Sequence, residues 1–289
     1  MTNNQITLQD YQQRVNKVLH YINTHLDEEL DIGKLAELSS FSPFHFHRIM
    51  RAFLNEPLKS YIVRIRLEKA ALSIQSTDLS MTDIAFKLGY DAPSSFNKAF
   101  KKQFGVSPSD YKEEYTELNS INYLKFSKME SKLNVKPKIK ELKTKKVIYV
   151  NSIGDYGGQG TEDAWNAVCE FAENKRLFGR NTEFIGISHD DPNVTDAEKL
   201  RYDACVAVDR EILPEGRIGV KTIEGGKYTM FLHKGPYSGF QELYDYIYGV
   251  WLPDSEFELR ELPCFEKYLN TPDKTKPENL KTEVYIPVI

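Results

Sequence analysis

The sequence predicts an all-α domain of two helix-turn-helix units, followed by an α+β domain of two pseudo-symmetric β-α-β-β repeats. Three observations carry this. Helical periodicity with few β-branched runs fills the first 118 residues; strand-like runs alternate with two helical stretches after about residue 135; and each half echoes itself. At 289 residues the chain exceeds the usual single domain, so two cores are expected. The expected boundaries are 1–118, a lysine-rich linker over 119–134, and 135–289.

Composition narrows the classes. Residues 1–10 hold no apolar run of signal-peptide length, and no later stretch nears the roughly 18 apolar residues a membrane helix needs. The chain therefore reads as cytoplasmic, with no membrane partner. Cys169, Cys205 and Cys264 are odd in number and widely spaced, which removes a disulfide framework and a CxxC metal knuckle. No metal or other cofactor is expected. The net charge of −4 argues against a uniformly basic, nucleic-acid-coated protein, so charge is counted by region.

The helices come first. VNKVLHYINTHL and DIGKLAELSS lead into FSPFHFHRIM, residues 41–50, which crowds three Phe, two His and an Arg together. On a strand His45 and His47 would share a face and grip a metal; on a helix, residues two apart point about 200° apart and do not. Helical spacing from Pro43 puts Phe46, Ile49, Met50 and Phe53 on an apolar stripe and displays Phe44, His47, Arg48 and Arg51. LAELSSFSPFHFHRIM is echoed by IAFKLGYDAPSSFNKAF, with Ala36 on Ala85, Phe41 on Tyr90, Phe46 on Phe96 and Arg48 on Lys98. Each unit reads as a short helix, a tight turn and a second helix opened by a cap and a proline, Ser42-Pro43 and Ala92-Pro93. In the second unit Phe96, Ala99, Phe100 and Phe104 face inward, while Ser94, Asn97, Lys98 and Lys101 face outward.

Those displayed sets suit a DNA major groove, where Arg takes guanine, Asn takes adenine and an apolar group meets a thymine methyl. The connecting run PLKSYIVRIRLEKAALSIQS, as a helix, spans roughly 30 Å, close to the roughly 34 Å of one duplex turn. Between Ser42 and Lys112 eleven Lys or Arg face six Asp or Glu, a local net of +5.

Residues 81–112, MTDIAFKLGYDAPSSFNKAFKKQFGVSPSDYK, closely resemble the signature of the AraC/XylS family of transcription regulators. With the first unit, the resemblance covers about residues 8–115. It implies a double helix-turn-helix that binds double-stranded DNA and contacts RNA polymerase. By resemblance, base-reading positions fall on Ser42, Phe44, His47 and Arg48, and on Ser94, Ser95 and Lys98; Arg51, Asn97 and Lys101 come from helical spacing.

In the second half the runs VIYVNSI, EFIGISH, YDACVAVD, KYTMFLHKG and EVYIPVI read as strands. At an offset of about 80, Gly154-Asp155-Tyr156 echoes Gly235-Pro236-Tyr237, Pro192 echoes Pro272, and Asp203 echoes Glu283. Two such repeats leave a cleft along their shared axis, a natural place for a ligand. The alignment sets Glu266 against Gly186 and Tyr268 against Ser188, so only the second repeat carries a carboxylate and a phenol on that strand face. A buried carboxylate must be paired or await a cation. The candidate ligand residues are therefore Glu266, Tyr268, Trp251, Tyr237, Tyr156 and Tyr248, with Trp251 first among the aromatics and Glu283 a weaker candidate. The plain alternative is that Glu266 pairs with a neighbouring Lys or Arg and that the aromatics, Trp165 and Tyr244 included, are core.

KGPY (234–237), FQELYDYIYGVWLP and ELPCFEKYLN with its TEVYIPV resemble the GyrI-like effector-binding domain, which follows AraC-type domains in Rob-like regulators. The resemblance implies a small hydrophobic, cationic effector sensed by a regulator of activator type, rather than an enzyme. Stand-alone proteins of similar fold hydrolyse small electrophiles, so turnover involving Glu266 with Tyr268 or Tyr237 is the alternative, as is a protein-docking role.

Overall fold

Helical periodicity and turn residues divide the first half into helices as expected, whereas the capping differs. The computed structural model describes residues 3–116 and 136–289, without the side chains of residues 3–8, 43 and 44. The linker expected over 119–134 lies outside the described residues. The described residues fall into two units, one running up to Thr116 and including Glu215–Gly219, the other holding the rest of 136–289.

The helices of the first half are α1 (Asn3–Thr24), α2 (Ile32–Ser39), α3 (Pro43–Leu54), α4 (Leu58–Ser76), α5 (Met81–Lys87), α6 (Pro93–Phe104) and α7 over 108–116. Pairs α2/α3 and α5/α6 are the two helix-turn-helix units, and they match down to their backbone turns. Ser40 and Gly89 take left-handed φ values of 53° and 71° between paired helices, while Asn55 and Gly105, at 56° and 83°, close α3 and α6. Gly adopts that conformation freely and Asn tolerates it. Side-chain caps stop α2 and α5 from fraying: Asp31 Oδ1 accepts from the Gly33 and Lys34 amides at 2.6 and 3.1 Å, and Ser80 Oγ accepts from Asp83 N at 3.1 Å. The caps expected at α3 and α6 are different. Ser42 makes no side-chain cap bond and Ala92 has none to make, so the N1 proline alone, with its preset φ, opens each helix.

Phe46, Met50, Phe96 and Phe100 are fully buried, as the stripes require. Phe53 is a correction: it is 37% exposed, and Leu54 is buried instead. The buried ridge follows i, i+4, i+8 from Phe46 through Met50 to Leu54, drifting away from position 53. Between the units, α4 is buried on most sides, and its 19 residues span about 28 Å. Arg64 lies inside it, bonded to Glu56 at 2.7 Å and Glu68 at 3.0 Å, so one of the basic residues counted above is spent on packing. Arg66 likewise turns inward, donating to the Leu26 and Glu28 carbonyls.

The second half folds as one eight-stranded sheet with the order β1-β6-β8-β7-β3-β4-β2-β5. Its strands are β1 (Lys138–Leu142), β2 (Lys145–Ile153), β3 (Phe184–Ser188), β4 (Arg201–Val208), β5 (Gly219–Ile223), β6 (Gly226–Lys234), β7 (Phe265–Tyr268) and β8 (Lys281–Pro287). The edge strands β1 and β5 add to the six expected. Helix α8 (Gln159–Asn174) belongs to the first repeat; α9 (Phe240–Tyr246), continuing as a π-helical turn over Ile247–Trp251, belongs to the second.

Strands β3 and β7 pair antiparallel at the centre, with Gly186 opposite Glu266 and Phe184 opposite Tyr268. Gly186 and Glu266 are also equivalent by the repeat offset, so the pseudo-two-fold axis passes through this one pair. One sheet face buries Val147, Tyr149, Ile185, Ile187, Cys205, Met230, Phe265 and Tyr285. The other buries Phe231, Val284 and Ile286 beneath Leu243, Tyr246, Ile247 and Val250 of the second helix. No helix among the described residues is long and apolar enough to cross a membrane.

Candidate nucleic-acid interface and ligand site

Burying Phe46 and Phe96 fixes the rotation of α3 and α6, and with it what each helix displays. Ser42, His47, Arg48 and Arg51 are exposed on the first unit, and Ser94, Ser95, Asn97, Lys98 and Lys101 on the second. The side chain of Phe44 lies outside the described residues. His45 is exposed beside them, and among the described residues no group of three His, Cys, Asp or Glu could hold a metal ion. Each displayed face joins cationic donors to hydroxyl or amide groups near a helix start, which suits phosphate and base-edge contacts.

In the second half the chemistry gathers on the axis. Glu266 is 2% exposed. Its Oε1 accepts from Ser188 Oγ at 3.3 Å and from the Tyr244 hydroxyl of α9, while its Oε2 has no hydrogen-bond partner among the described residues. Burial pushes this carboxyl up to about 7, and the Tyr244 and Ser188 hydroxyls keep it from rising further. The expected alternative, a Lys or Arg partner, is not what holds it; hydroxyls do.

Aromatic rings wall the carboxylate. The Tyr202 and Tyr268 hydroxyls are bonded at 3.0 Å, and Tyr268 meets Trp165 and Tyr237 edge-on at 5.5 and 5.3 Å between centroids. Tyr156 lies 5.9 Å from Tyr202, its hydroxyl donating to the Asp190 carbonyl at 2.7 Å. Tyr248 stacks 6.2 Å from Tyr244, and the Cys264 thiol donates to the Tyr244 hydroxyl at 3.6 Å. Burial pushes that thiol up to about 12, with the neighbouring Glu266 charge adding to the effect. Gly186 makes the arrangement possible, since a Cβ there would lie 2.2 Å from the Tyr202 hydroxyl and 2.8 Å from that of Tyr268.

Of the residues singled out from sequence, Glu266, Tyr268, Tyr237, Tyr156 and Tyr248 come together. Trp251 does not join their ring contacts: it packs against Phe231 at 5.0 Å and Phe257 at 5.9 Å, in the layer between helix and sheet. Trp251 ends the π-helical turn and packs in the same layer as Tyr244, Tyr248 and Cys264. Glu283 lies one strand residue out of phase, accepting from Tyr285 at 2.8 Å. Its counterpart Asp203 is held by His189 at 2.5 Å, by Lys221 and by Asn151 at 2.9 Å. Burial opposes that charge, yet Lys221 and His189 keep Asp203 well below the ordinary carboxylate range. Sequence reasoning missed Ser188, Tyr202 and Cys264 as members of the site and gave Tyr244 no polar role. A signal existed for two of them, because the same offset sets Tyr202 against Thr282 and Cys264 against Phe184.

Comparison with known proteins places these features. A family model described as a GyrI-like small molecule binding domain matches residues 136–289, and one described as a helix-turn-helix domain matches residues 35–114. The chain is similar to the right origin-binding protein of Escherichia coli (strain K12), with 23% identity over 288 residues covering 95% of this chain and 97% of that one. It is similar to the HTH-type transcriptional activator AarP of Providencia stuartii, with 35% identity over 107 residues covering 37% of this chain and 79% of that one. A cryo-EM structure of an EcmrR–DNA complex matches with 15% identity and a TM-score of 0.49, covering 89% of this chain and 98% of that one.

Proposed function

The chain belongs to the AraC family of DNA-binding transcription regulators and carries the GyrI-like small molecule binding domain, and from that premise we propose that it is a cytoplasmic activator whose second domain senses a small hydrophobic cation. Residues 1–118 bind double-stranded DNA, 119–134 carry the ligand state across, and 135–289 hold the effector. RNA polymerase is the partner through which activation works; AarP, similar over the DNA-binding half, is by name an activator.

The observation that carries the ligand reading is the carboxylate at the axis, 2% exposed, one oxygen without a partner among the described residues, bordered by tyrosines with Trp165 against Tyr268. An isolated buried charge is costly. A cation settling against Glu266 removes that cost, and each aromatic face adds roughly 0.5 to 2 kcal/mol. Thermal melting against a panel of lipophilic cations and neutral analogues tests this. At a hundred times its dissociation constant a ligand adds about 2.7 kcal/mol. Stabilisation by cations alone, lost in Glu266→Gln, is expected; equal stabilisation by neutral analogues in both proteins would remove the counter-ion role.

On the DNA side, Arg48 reads a base and Lys101 a phosphate. Arg48→Ala is expected to cost roughly 1 to 3 kcal/mol at the cognate site only, whereas Lys101→Ala weakens all DNA and lowers the salt slope by about 1. Fluorescence anisotropy on cognate and random duplexes separates the two. A second reading, hydrolysis of small electrophiles, draws on the same carboxyl near neutrality beside two bonded phenols. Turnover of a test electrophile, lost in Glu266→Gln, would favour it.

A further inference from the structure

A cysteine in the wall of the cage has no task in the sensing of a cation. Cys264 is joined to Glu266 by a directed chain of donors, its thiol giving to the Tyr244 hydroxyl at 3.6 Å and that hydroxyl giving to Glu266 Oε1. The chain ends on a carboxylate 2% exposed whose second oxygen has no partner among the described residues. The other two thiols lack such a path. Cys205 is fully buried on the opposite sheet face with its Sγ on the Asp203 carbonyl, and Cys169 lies on α8, its thiol raised by burial alone.

We infer that Cys264 is a covalent capture site for small neutral Michael acceptors, the α,β-unsaturated carbonyl compounds, with Tyr244 as proton relay and Glu266 as proton acceptor. The inference rests on the cage being a ligand site, but not on its ligand being a cation. In the step, the sulfur pair forms a bond to the β-carbon while the thiol proton passes to the Tyr244 oxygen and the Tyr244 proton passes to Glu266 Oε1. The C=C π pair moves to give an enolate, which takes the proton back from Glu266 at the α-carbon. The net change is addition of S–H across C=C, with nothing oxidised or reduced. The Tyr202–Tyr268 pair spends one of its two phenolic protons on the shared bond and leaves the other for the carbonyl oxygen.

This arrangement answers the usual objection to a buried thiol. With the thiol raised to about 12, free thiolate is scarce, and reaction depends on removing the proton inside the site. The groups facing Glu266 are Ser188, Tyr244, Tyr202, Tyr156, Tyr268, Tyr248 and Cys264. The phenols and the thiol are all raised, so only the carboxyl titrates near neutrality. Capture therefore rises with pH through about 7 and then levels.

The test is exposure of the full chain to cyclohex-2-en-1-one between pH 6 and pH 8.5, followed by intact mass and peptide mapping. A single adduct on Cys264 ahead of Cys169 is expected, with its rate lowered about 100-fold in Glu266→Gln, the low end of what a positioned base supplies. Tyr244→Phe keeps the ring and cuts the relay, so it gives the same loss even should Glu266→Gln fail to fold. Labelling of Cys169 first, an untouched Cys264, or equal rates on Cys264 in parent and variants would overturn the inference. Cys264→Ala, melted against the lipophilic cations, keeps the two readings apart. A cation shift that persists while Cys264 goes unlabelled removes covalent capture alone; relay-dependent labelling without any cation shift supports capture and removes the cation.

Discussion

In the first repeat of the second domain the chain crosses the two-fold axis at Gly186 and goes on to Ser188; in the second it crosses at Glu266 and goes on to Tyr268. Around these strands the repeats solve the same problems in the same way. Gly154 and Gly235 have φ of 134° and 131°, and their amides donate to Leu200 and Leu280 at 2.9 and 3.0 Å. Asp190 and Asn270 each accept from the first amide of the next strand, Arg201 N at 2.7 Å and Lys281 N at 2.8 Å. Positions that satisfy buried backbone groups are retained in both repeats, because leaving such a group unmade is costly. The side chains on the axis carry no such duty, and that is where the repeats differ.

The largest expected effect separates the two turn devices. Asp190 is a buried carboxylate held by Arg201 through Nε and Nη2, whereas its counterpart Asn270 is neutral. Arg201→Ala should cost about 3 to 5 kcal/mol by stranding that charge, and Asn270→Ala about 1 kcal/mol. Urea unfolding of both variants measures the gap; equal costs would mean the repeats are framed alike in energy as well as in geometry.

Next comes pH. Glu266 is raised from an ordinary 4.5 to about 7, so the folded state holds its proton where the unfolded chain has lost it. The contribution is complete below about pH 4.5 and is lost as pH rises to about 7, a fall of roughly 3 kcal/mol. Glu266→Gln should abolish the fall and be the more stable protein at pH 8. Unfolding midpoints at pH 5 and pH 8 decide it, and parallel slopes in the two proteins would show the carboxyl to be unperturbed. Gly186→Ala sharpens the comparison from the other side of the axis: its Cβ enters the Tyr202–Tyr268 bond, and about 1 to 3 kcal/mol should be lost in thermal melting. Smallest is Ser188→Ala, worth about 1 kcal/mol or less, which removes a bond to the ionised carboxyl and should move the Glu266 titration upward in an NMR pH series.

Much of this was legible because duplication prints itself in sequence. Phe46 and Phe96 recur in matched stripes, and both prove fully buried; the offset that aligned Pro192 with Pro272 also found the Gly186–Glu266 pair. What escaped depends on geometry that periodicity does not carry. Strand β1 shows no alternation, since its first four residues are all exposed, and its place is set by pairing with β6. In the sequence Tyr244 reads as a core aromatic, and only the approach of its helix to β7 turns its hydroxyl toward Glu266.

The pairing of Gly186 with Glu266 also bears on how such a site can arise. Were the two repeats separate, identical chains, any residue on the axis would face a copy of itself, and an acid there would face an acid. Two carboxylates at directly paired strand positions lie about 5 Å apart and repel by about 3 kcal/mol at an effective dielectric constant of 20. A homodimer thus offers its axis no acid or two. Joining the halves in one gene lifts that restriction, and a solitary negative charge at the centre of a two-fold frame is open only to the fused form.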